Sequence, residues 1–516
     1  MTKPTISAPL LDRYTSMGEL SGNVRRMLKR ALPLLGVILA LATAYLLYTG
    51  STGVVAFGMM SVGAMVGLAL WANHAIGVPL MPMIVVQQLV VNGLPIVNAH
   101  DILAKYPPEF VTRAGLEVMV FLCSLSAFWR MGMQVFAPSP PQAYALVGVD
   151  REGIAGLSRL GFGLAGVATG YLLLQSLGFA SVILQLLPNG SYPIVNALIG
   201  AASACGFFLL SMIVGSGELS AVPRTFFWLL MAANCLISAS SLLLSGAAVV
   251  VLSVVIGLFW STGRIPWRFL ILVMLALSFL NTGKYAMRGR YWEKADDEAP
   301  PARGLTDLPA FYAEWTQAGL DSFNASPDDK SPGSRRGRGE VKGQSLFDRL
   351  NNLQNVLFVI DAMEEGHIPS VNGASYTLIP PLLVPRILWP DKPRTHAGQV
   401  LLNVHFGRQD MESTVKTYVA WGLLAEAYGN FGAIKGAIFL GLCLGLAFAW
   451  AENFTTRKPL LSSEGFVAFA VFLGLANSYE TVASVLITMI FQSVVPVVVA
   501  CVPFVRRKTV VRPAPV

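Results

Sequence analysis

The sequence predicts an all-α polytopic membrane protein, on two facts of composition and one pattern. Of its 516 residues, 54% are hydrophobic and only 13% charged, with a mean hydropathy of +0.59. A soluble domain carries about 25% charged residues, so this chain lacks the polar surface to coat a globule in water. The charge is also unevenly placed: residues 284–417 hold 16 basic and 17 acidic side chains, half of all the charge. The remainder falls into apolar runs of about 20 residues, the length that crosses a bilayer core as a helix. A soluble enzyme, a secreted disulfide scaffold and a disordered chain are excluded.

About twelve transmembrane helices are expected, near 31–49, 53–73, 78–98, 114–136, 161–187, 194–215, 225–244, 246–262, 269–283, 431–452, 465–482 and 484–505. The third is interrupted by Pro79, Pro82, Gln87, Gln88 and Pro95, which leaves a broken or re-entrant segment as its alternative. The 246–262 and 269–283 spans are short, so Thr262–Arg268 between them is expected to be a tight turn. The chain thus divides into a tail 1–30, a bundle of about nine spans over 31–283, a long loop 284–417, closing spans over 418–505 and a tail 506–516. The charged region before the first apolar run is about 30 residues long and that run is long enough to span, which argues against a cleaved signal peptide.

Lysine and arginine in the short loops orient the bundle. Lys3, Arg13, Arg25, Arg26, Lys29, Arg30, Arg151, Arg159, Arg224, Arg264, Arg268, Arg457 and Lys458 fall on one side, with the tail residues Arg506, Arg507, Lys508 and Arg512. The opposite short loops offer Lys105, with Arg113 at a span edge. Both termini are therefore expected in the cytoplasm and the long loop outside. The formal net charge of +8 is a topology signal and gives no reason to expect a nucleic-acid partner. The cysteines, Cys123, Cys205, Cys235, Cys443 and Cys501, all fall within expected spans and read as packing residues.

Chemistry is expected in the outside loop and just after it. Residues 284–294 form a basic, aromatic rim, and 324–343 are rich in Pro, Gly, Ser and charge. Leu346, Leu350, Leu353, Leu357 and Ile360 recur at three- and four-residue steps and predict a short amphipathic helix. Residues 371–395 are too proline-rich for a spanning helix and too apolar for a solvated loop, which suggests a re-entrant or membrane-surface segment. Arg386 and Lys392 project from it and suit either phosphate binding or snorkelling at the headgroup level. Glu426 sits in the apolar run 416–436. A carboxylate there pairs with a cation, such as Lys416 or Lys435, or has its pKa raised into the range of an acid or base. Glu480 poses the same question, and Glu117 and Arg130 must find partners on other helices. His396 and His405 are candidates for proton transfer, and no histidine pair has the helical spacing of a metal site.

Two motifs in these patches resemble those of the bacterial Wzy-type oligosaccharide repeat-unit polymerases, which make O-antigen and exopolysaccharide. One is Gly373-Ala374-Ser375-Tyr376-Thr377 leading into Val384-Pro385-Arg386-Ile387-Leu388-Trp389-Pro390-Asp391-Lys392-Pro393. The other is Glu426-Ala427-Tyr428-Gly429-Asn430-Phe431-Gly432, followed by a glycine-rich span. The plan of many spans, one late outside loop and a few closing spans is similar too. The motifs cover about 60 residues, and Gly429 stands where the family has a bulkier residue.

The resemblance implies an inverting glycosyltransferase with no cofactor and no bound metal. It would pass a growing glycan from undecaprenyl diphosphate to the next lipid-linked repeat unit at the outer face of the bacterial inner membrane. By position in the motifs, Arg386 and Lys392, helped by Arg349, would bind the diphosphate, and Tyr376 and Asn430 would position substrate. Glu426 would be the general base, with His396 or His405 behind it. Partners implied are the lipid-linked oligosaccharide, membrane lipid, and a chain-length regulator and flippase of the same pathway. A glycan ligase using the same donor is one rival reading. A non-enzymatic lipid-linked oligosaccharide flippase is another, although no internal repeat of the transporter kind is visible.

Overall fold

A computed structural model describes residues 16–138, 151–179, 182, 192–242, 244–291, 304–324, 350–384, 388–389, 391–416, 419–458, 460, 462–476 and 480–501. Their regular structure is helical. In order the helices are α1 (Met17–Tyr48), α2 (Val54–His74), α3 (Leu80–Val97), α4 (Pro108–Val135), α5 (Arg151–Ser176), α6 (Tyr192–Ser216), α7 (Ala221–Ala239), α8 (Ser245–Thr262) and α9 (Trp267–Tyr291). There follow α10 (Leu308–Asn324), α11 (Leu353–Glu364), α12 (Ile379–Leu383), α13 (Ala397–His405), α14 (Ser413–Lys416), α15 (Leu423–Phe431), α16 (Lys435–Thr455), α17 (Ser463–Ala476) and α18 (Ala483–Cys501). Among the described residues, ten helices are long and apolar enough to cross a membrane: α1 to α9 and α16. Two shorter apolar stretches, Glu464–Ala476 and Ala483–Gln492, stand where the last two of the twelve spans are expected.

The third expected span is one continuous helix. Pro79 precedes α3, Pro82 falls in its first turn, where proline removes no internal hydrogen bond, and Pro95 lies near its end. Gln87 donates through Nε2 to the Leu475 and Ala476 carbonyls (3.3 and 3.0 Å), so its amide closes the end of α17. Of the Leu346–Ile360 stripe, Leu346 lies outside the described residues, and the helix begins at Leu353, directly after Asn351 and Asn352. The Asn351 Oδ1 accepts from Gln354 N (3.1 Å) and the Asn352 carbonyl accepts from Asn355 N (3.0 Å), a capping pattern that asparagine favours over helix interior. The tight turn after α8 is closed by Gly263 in the left-handed region (φ 62°).

The chain forms two compact units, and the long loop is divided between them. One unit holds α5 to α10. In it Phe311 and Trp315 of α10 bury against Leu242 and Met287, and the Trp315 indole donates to the Leu280 carbonyl (2.8 Å). The other unit holds α1 to α4 and α11 to α18. Its centre is α4, packed between α2 and α16 through small residues. A Cβ on Gly115 would come within 2.4 Å of the Ala56 backbone, and one on Gly445 within 2.7 Å of the Leu125 carbonyl. Helices in lipid gain their packing energy from such close backbone approach.

Polar segments of this second unit sort to two opposite ends of its helices. At one end Met17 N and Gly18 N bond to the Lys458 and Thr456 carbonyls (both 3.0 Å), and Thr456 Oγ1 donates to the Ile76 carbonyl (2.5 Å). Glu452 lies there, fully buried, and accepts from Trp71 Nε1 (2.7 Å), Trp129 Nε1 (3.0 Å) and Ile76 N (3.3 Å). At the other end are the 98–107 turn, residues 350–434 and the start of α18, tied to the bundle by Asn352 N to the Val91 carbonyl (2.9 Å) and Ile434 N to Glu117 Oε1 (2.8 Å). Of the chemistry-bearing residues foreseen in the sequence, Tyr376, Lys392, His396, His405, Glu426 and Asn430 belong to this end.

Candidate functional site

The site is built on α15, a nine-residue helix set apart from α16 by its glycines. Gly422 precedes it with φ 90°, and a Cβ there would come within 2.3 Å of the Asn352 amide. Gly432 ends it with φ 77°, its N–H donating to the Tyr428 carbonyl (2.7 Å) and so closing the last turn. Ile434 then turns the chain at φ 61°, a costly conformation for a β-branched residue, held by its bond to Glu117. The result is a short helix whose every residue from Leu423 to Asn430 is buried.

Glu426 is the one ionisable residue on that buried stretch apart from Tyr428. Its Oε1 accepts from the Ser375 hydroxyl (2.6 Å), and its Oε2 from Ala483 N (2.5 Å), the first residue of α18. A helix N-terminus favours negative charge, as does each hydrogen bond. Burial opposes both and prevails: the carboxyl is pushed up to about 7, with the Ser375 and Ala483 bonds pulling it back. Among the described residues Glu426 has no cationic partner; Lys435 is exposed, and the Lys416 side chain lies outside the described residues.

Ser375 is the hub. Its oxygen accepts from Asn430 Nδ2 (2.9 Å), and that same amide donates to the Glu426 carbonyl (2.8 Å). The segment carrying Ser375 is anchored to α15 by Val371 N to the Gly429 carbonyl (3.0 Å). The Tyr376 ring stacks on Phe431 (5.8 Å between centroids) and meets Phe439 edge-on (5.3 Å). Burial, and secondly the Glu426 charge, raise its hydroxyl well above the usual phenol range. Around the carboxylate, three buried polar atoms have no hydrogen-bond partner: Tyr376 Oη, Asn430 Oδ1 and Ser484 Oγ. Buried polar atoms are otherwise almost always paired, so this concentration marks a place prepared for a polar guest.

The structure thus brings together Glu426, Tyr376 and Asn430 from the sequence candidates. Lys392 folds back on its own segment, its Nζ donating to the Leu382 and Val384 carbonyls (2.8 and 2.5 Å), which closes the end of α12. His396 meets Gln399 Oε1 through Nδ1 (2.7 Å) at the start of α13, whose Gly398 lies against Ser484. His405 bonds through Nε2 to the Pro369 carbonyl (2.7 Å) and is exposed. Arg349 and Arg386 lie outside the described residues.

Sequence reasoning missed three participants. Ser375 stands inside the first motif, next to the residue singled out. Arg408 is half-buried with its guanidinium over the Phe358 ring (5.0 Å) and Nη1 on the Ala420 carbonyl (2.9 Å). Burial lowers its pKa. Among the described residues it has no carboxylate partner; its position two residues before the loop acid Asp410 disguised it. Arg113 pairs with Glu364, whose Oε1 also accepts from the Tyr428 hydroxyl (3.3 Å), and this ties α4, α11 and α15 together. Among the described residues no three metal-ligating side chains converge. Comparison with protein-family models, curated proteins and solved structures gives no match.

Proposed function

We propose that this chain polymerises lipid-linked oligosaccharide repeat units at the outer face of a bacterial inner membrane, with Glu426 as general base. The observation that carries the reading is the buried Glu426 carboxyl, held near neutrality beside three unpartnered polar atoms. An acceptor sugar hydroxyl hydrogen-bonded to that carboxylate would pass its proton to it as the oxygen attacks the anomeric carbon of the donor glycan. The bond from that carbon to the diphosphate breaks with inversion, and undecaprenyl diphosphate leaves with the electron pair. A base of pKa near the working pH serves such a step best.

Departure of the diphosphate calls for cations, which can neutralise it without a metal. Arg408, held over Phe358 on the same end of the bundle, joins Arg386, Lys392 and Arg349 in that role. Arginine suits it through its planar fork. In the second unit the short segments at the end opposite α15 carry Arg25, Arg26, Lys29, Arg30, Arg457 and Lys458, against Lys105 and Arg113 in the short connection at the α15 end, which supports a cytoplasmic placement for both termini and an external one for the site. The resemblance in two motifs supplies the substrate class; the unpartnered atoms and the titrating carboxyl supply the chemistry.

The glycan profile of a deletion strain tests the reading. Lipid-linked single units accumulating on the outer leaflet are the expected result. Long polymer left unattached would favour the ligase, and single units held on the cytoplasmic leaflet the flippase.

A further inference from the structure

The far end of the second unit carries a different arrangement, unrelated to the proposed reaction. Helix α1 is 32 residues long, about 48 Å, where about 20 residues suffice to cross the hydrocarbon. Its uncharged stretch 31–48 spans about 27 Å, so Arg26, Lys29 and Arg30 fall at headgroup level, immediately beyond it. These three are exposed and lie on one face at i, i+3 and i+4. Leu34, Val37, Ile38, Leu41 and Tyr45, each more than half exposed, lie on the side of α1 turned away from α2.

The three cations have no partner among the described residues. Arg25, one position earlier, is spent differently. It donates to the Ala72, Asn73 and Ala75 carbonyls (3.2, 3.4 and 3.0 Å) and so closes the C-terminal end of α2. That pins α1 to α2 at this level. Glu452, the buried carboxylate of this end, is already occupied by two indoles and a backbone amide. Above the cations, α1 and α2 leave a cleft of about 360 Å³, bordered by Gly36, Ala40 and Thr43 on one side and Gly58, Ser61 and Met65 on the other.

We propose that this side of α1 binds one anionic phospholipid, its phosphate held by Arg26, Lys29 and Arg30 and an acyl chain laid along the α1–α2 cleft. Two independent features match this occupant. Cations with no partner among the described residues sit where headgroups sit, and an apolar cleft opens on the Lys29 side of the helix and runs in the direction the chains run. Basic residues near a membrane surface each contribute attraction to anionic lipid, and a cleft at acyl depth adds chain contacts.

The test uses the full chain in detergent, titrated with phosphatidylglycerol or with phosphatidylcholine of the same chains, and bound lipid counted by native mass spectrometry. The wild-type protein is expected to retain phosphatidylglycerol selectively. Arg30→Gln should weaken that retention about fivefold, and the triple change R26Q/K29Q/R30Q should abolish the selectivity. Arg25 is left intact in both, so the α2 cap and the melting temperature should persist; the single variant stands if the triple one does not fold. Gly58→Leu, at a position open enough for a side chain, should fill the cleft and weaken lipid retention with the cations unchanged. Equal retention of the two lipids, or full selectivity in a folded triple variant, overturns the proposal. Displacement of bound phosphatidylglycerol by millimolar glycerol phosphate also overturns it, since that would mark a site for free phosphate.

Discussion

Replacing Glu426 by glutamine separates the chemistry of the candidate site from its architecture. The glutamine carbonyl can take the Ala483 N–H while its NH2 group donates to the Ser375 oxygen, which has lone pairs for both it and Asn430. The net loss is one charge-assisted hydrogen bond, about 1.5–3 kcal/mol of stability, and the fold should survive. The base does not: chain lengthening should fall about 10²- to 10⁴-fold. A second signature comes from linkage. The carboxyl rises from the ordinary value near 4.5 to about 7 on folding, so the folded state binds its proton more tightly than the unfolded one. The stability this contributes is complete below pH 4.5 and is lost as the pH rises through 7, a change of about 3 kcal/mol. Wild-type activity moves the other way, rising about tenfold per pH unit below 7 as the base deprotonates. Two assays on one protein check this: polymer length from lipid-linked repeat units across pH 5 to 8.5, and chemical-denaturant stability over the same range. A Glu426→Gln protein that lengthens glycan with the wild-type pH profile refutes the base assignment. One that keeps the wild-type fall in stability between pH 4.5 and 7 refutes the account of its burial.

Other changes test neighbouring claims. Ser375→Ala leaves Glu426 Oε1 without a partner, at about 1–3 kcal/mol, leaves Asn430 Nδ2 only the Glu426 carbonyl, and removes a bond that favours the charged carboxylate; the pH–rate profile should move to higher pH. Arg408→Lys keeps the charge but loses the planar stack on Phe358 and the fork, so it should raise KM for the lipid-linked donor with little change in melting temperature. Gly422→Ala forces a Cβ into the Asn352 amide at a positive φ and should cost more than about 1 kcal/mol, read as a lowered thermal transition. Glu452→Ala strands two indole N–H groups and a backbone N–H at about 1–3 kcal/mol each, and should abolish accumulation of folded protein as judged by gel filtration.

What the sequence made legible was whatever depends on local pattern. Apolar run length located every helix now seen to be long enough to span, and Glu426 stood out because a carboxylate in the run 416–436 has no local reason to be there. What stayed hidden depends on contacts far apart in the chain. Ser375 acquires its role only when it meets Glu426, 51 residues away. Arg408 looked like one charge among many, because only the fold leaves it without an acid. The third span looked breakable because its glutamines had no visible destination, and Gln87 finds one at the end of α17, nearly 390 residues on. The division of the long loop between two units is likewise invisible to composition, since α10 and α11 are of similar amphipathic character and differ in what they pack against.

Burial of an acid does not by itself indicate chemistry, and three carboxylates in the second unit show what does. Glu452 is fully buried, but each of its donors is satisfied by the contact and none belongs to a residue with an unpartnered atom. It is a closed lock between α2, α4 and α16. Glu117 is half engaged, one oxygen holding the strained Ile434 and the other without a partner, and it supports the turn that sets α15 apart. Glu426 has both oxygens engaged and yet is surrounded by unpartnered hydroxyl and amide oxygen atoms from three separate segments, at Tyr376, Asn430 and Ser484. A purely structural role would favour removing those atoms, since each buried orphan costs about 1–3 kcal/mol. Their retention is economical only if something with hydroxyls enters to meet them, which is the property a sugar acceptor has. The orphaned atoms rather than the buried charge therefore single out Glu426 from the other two.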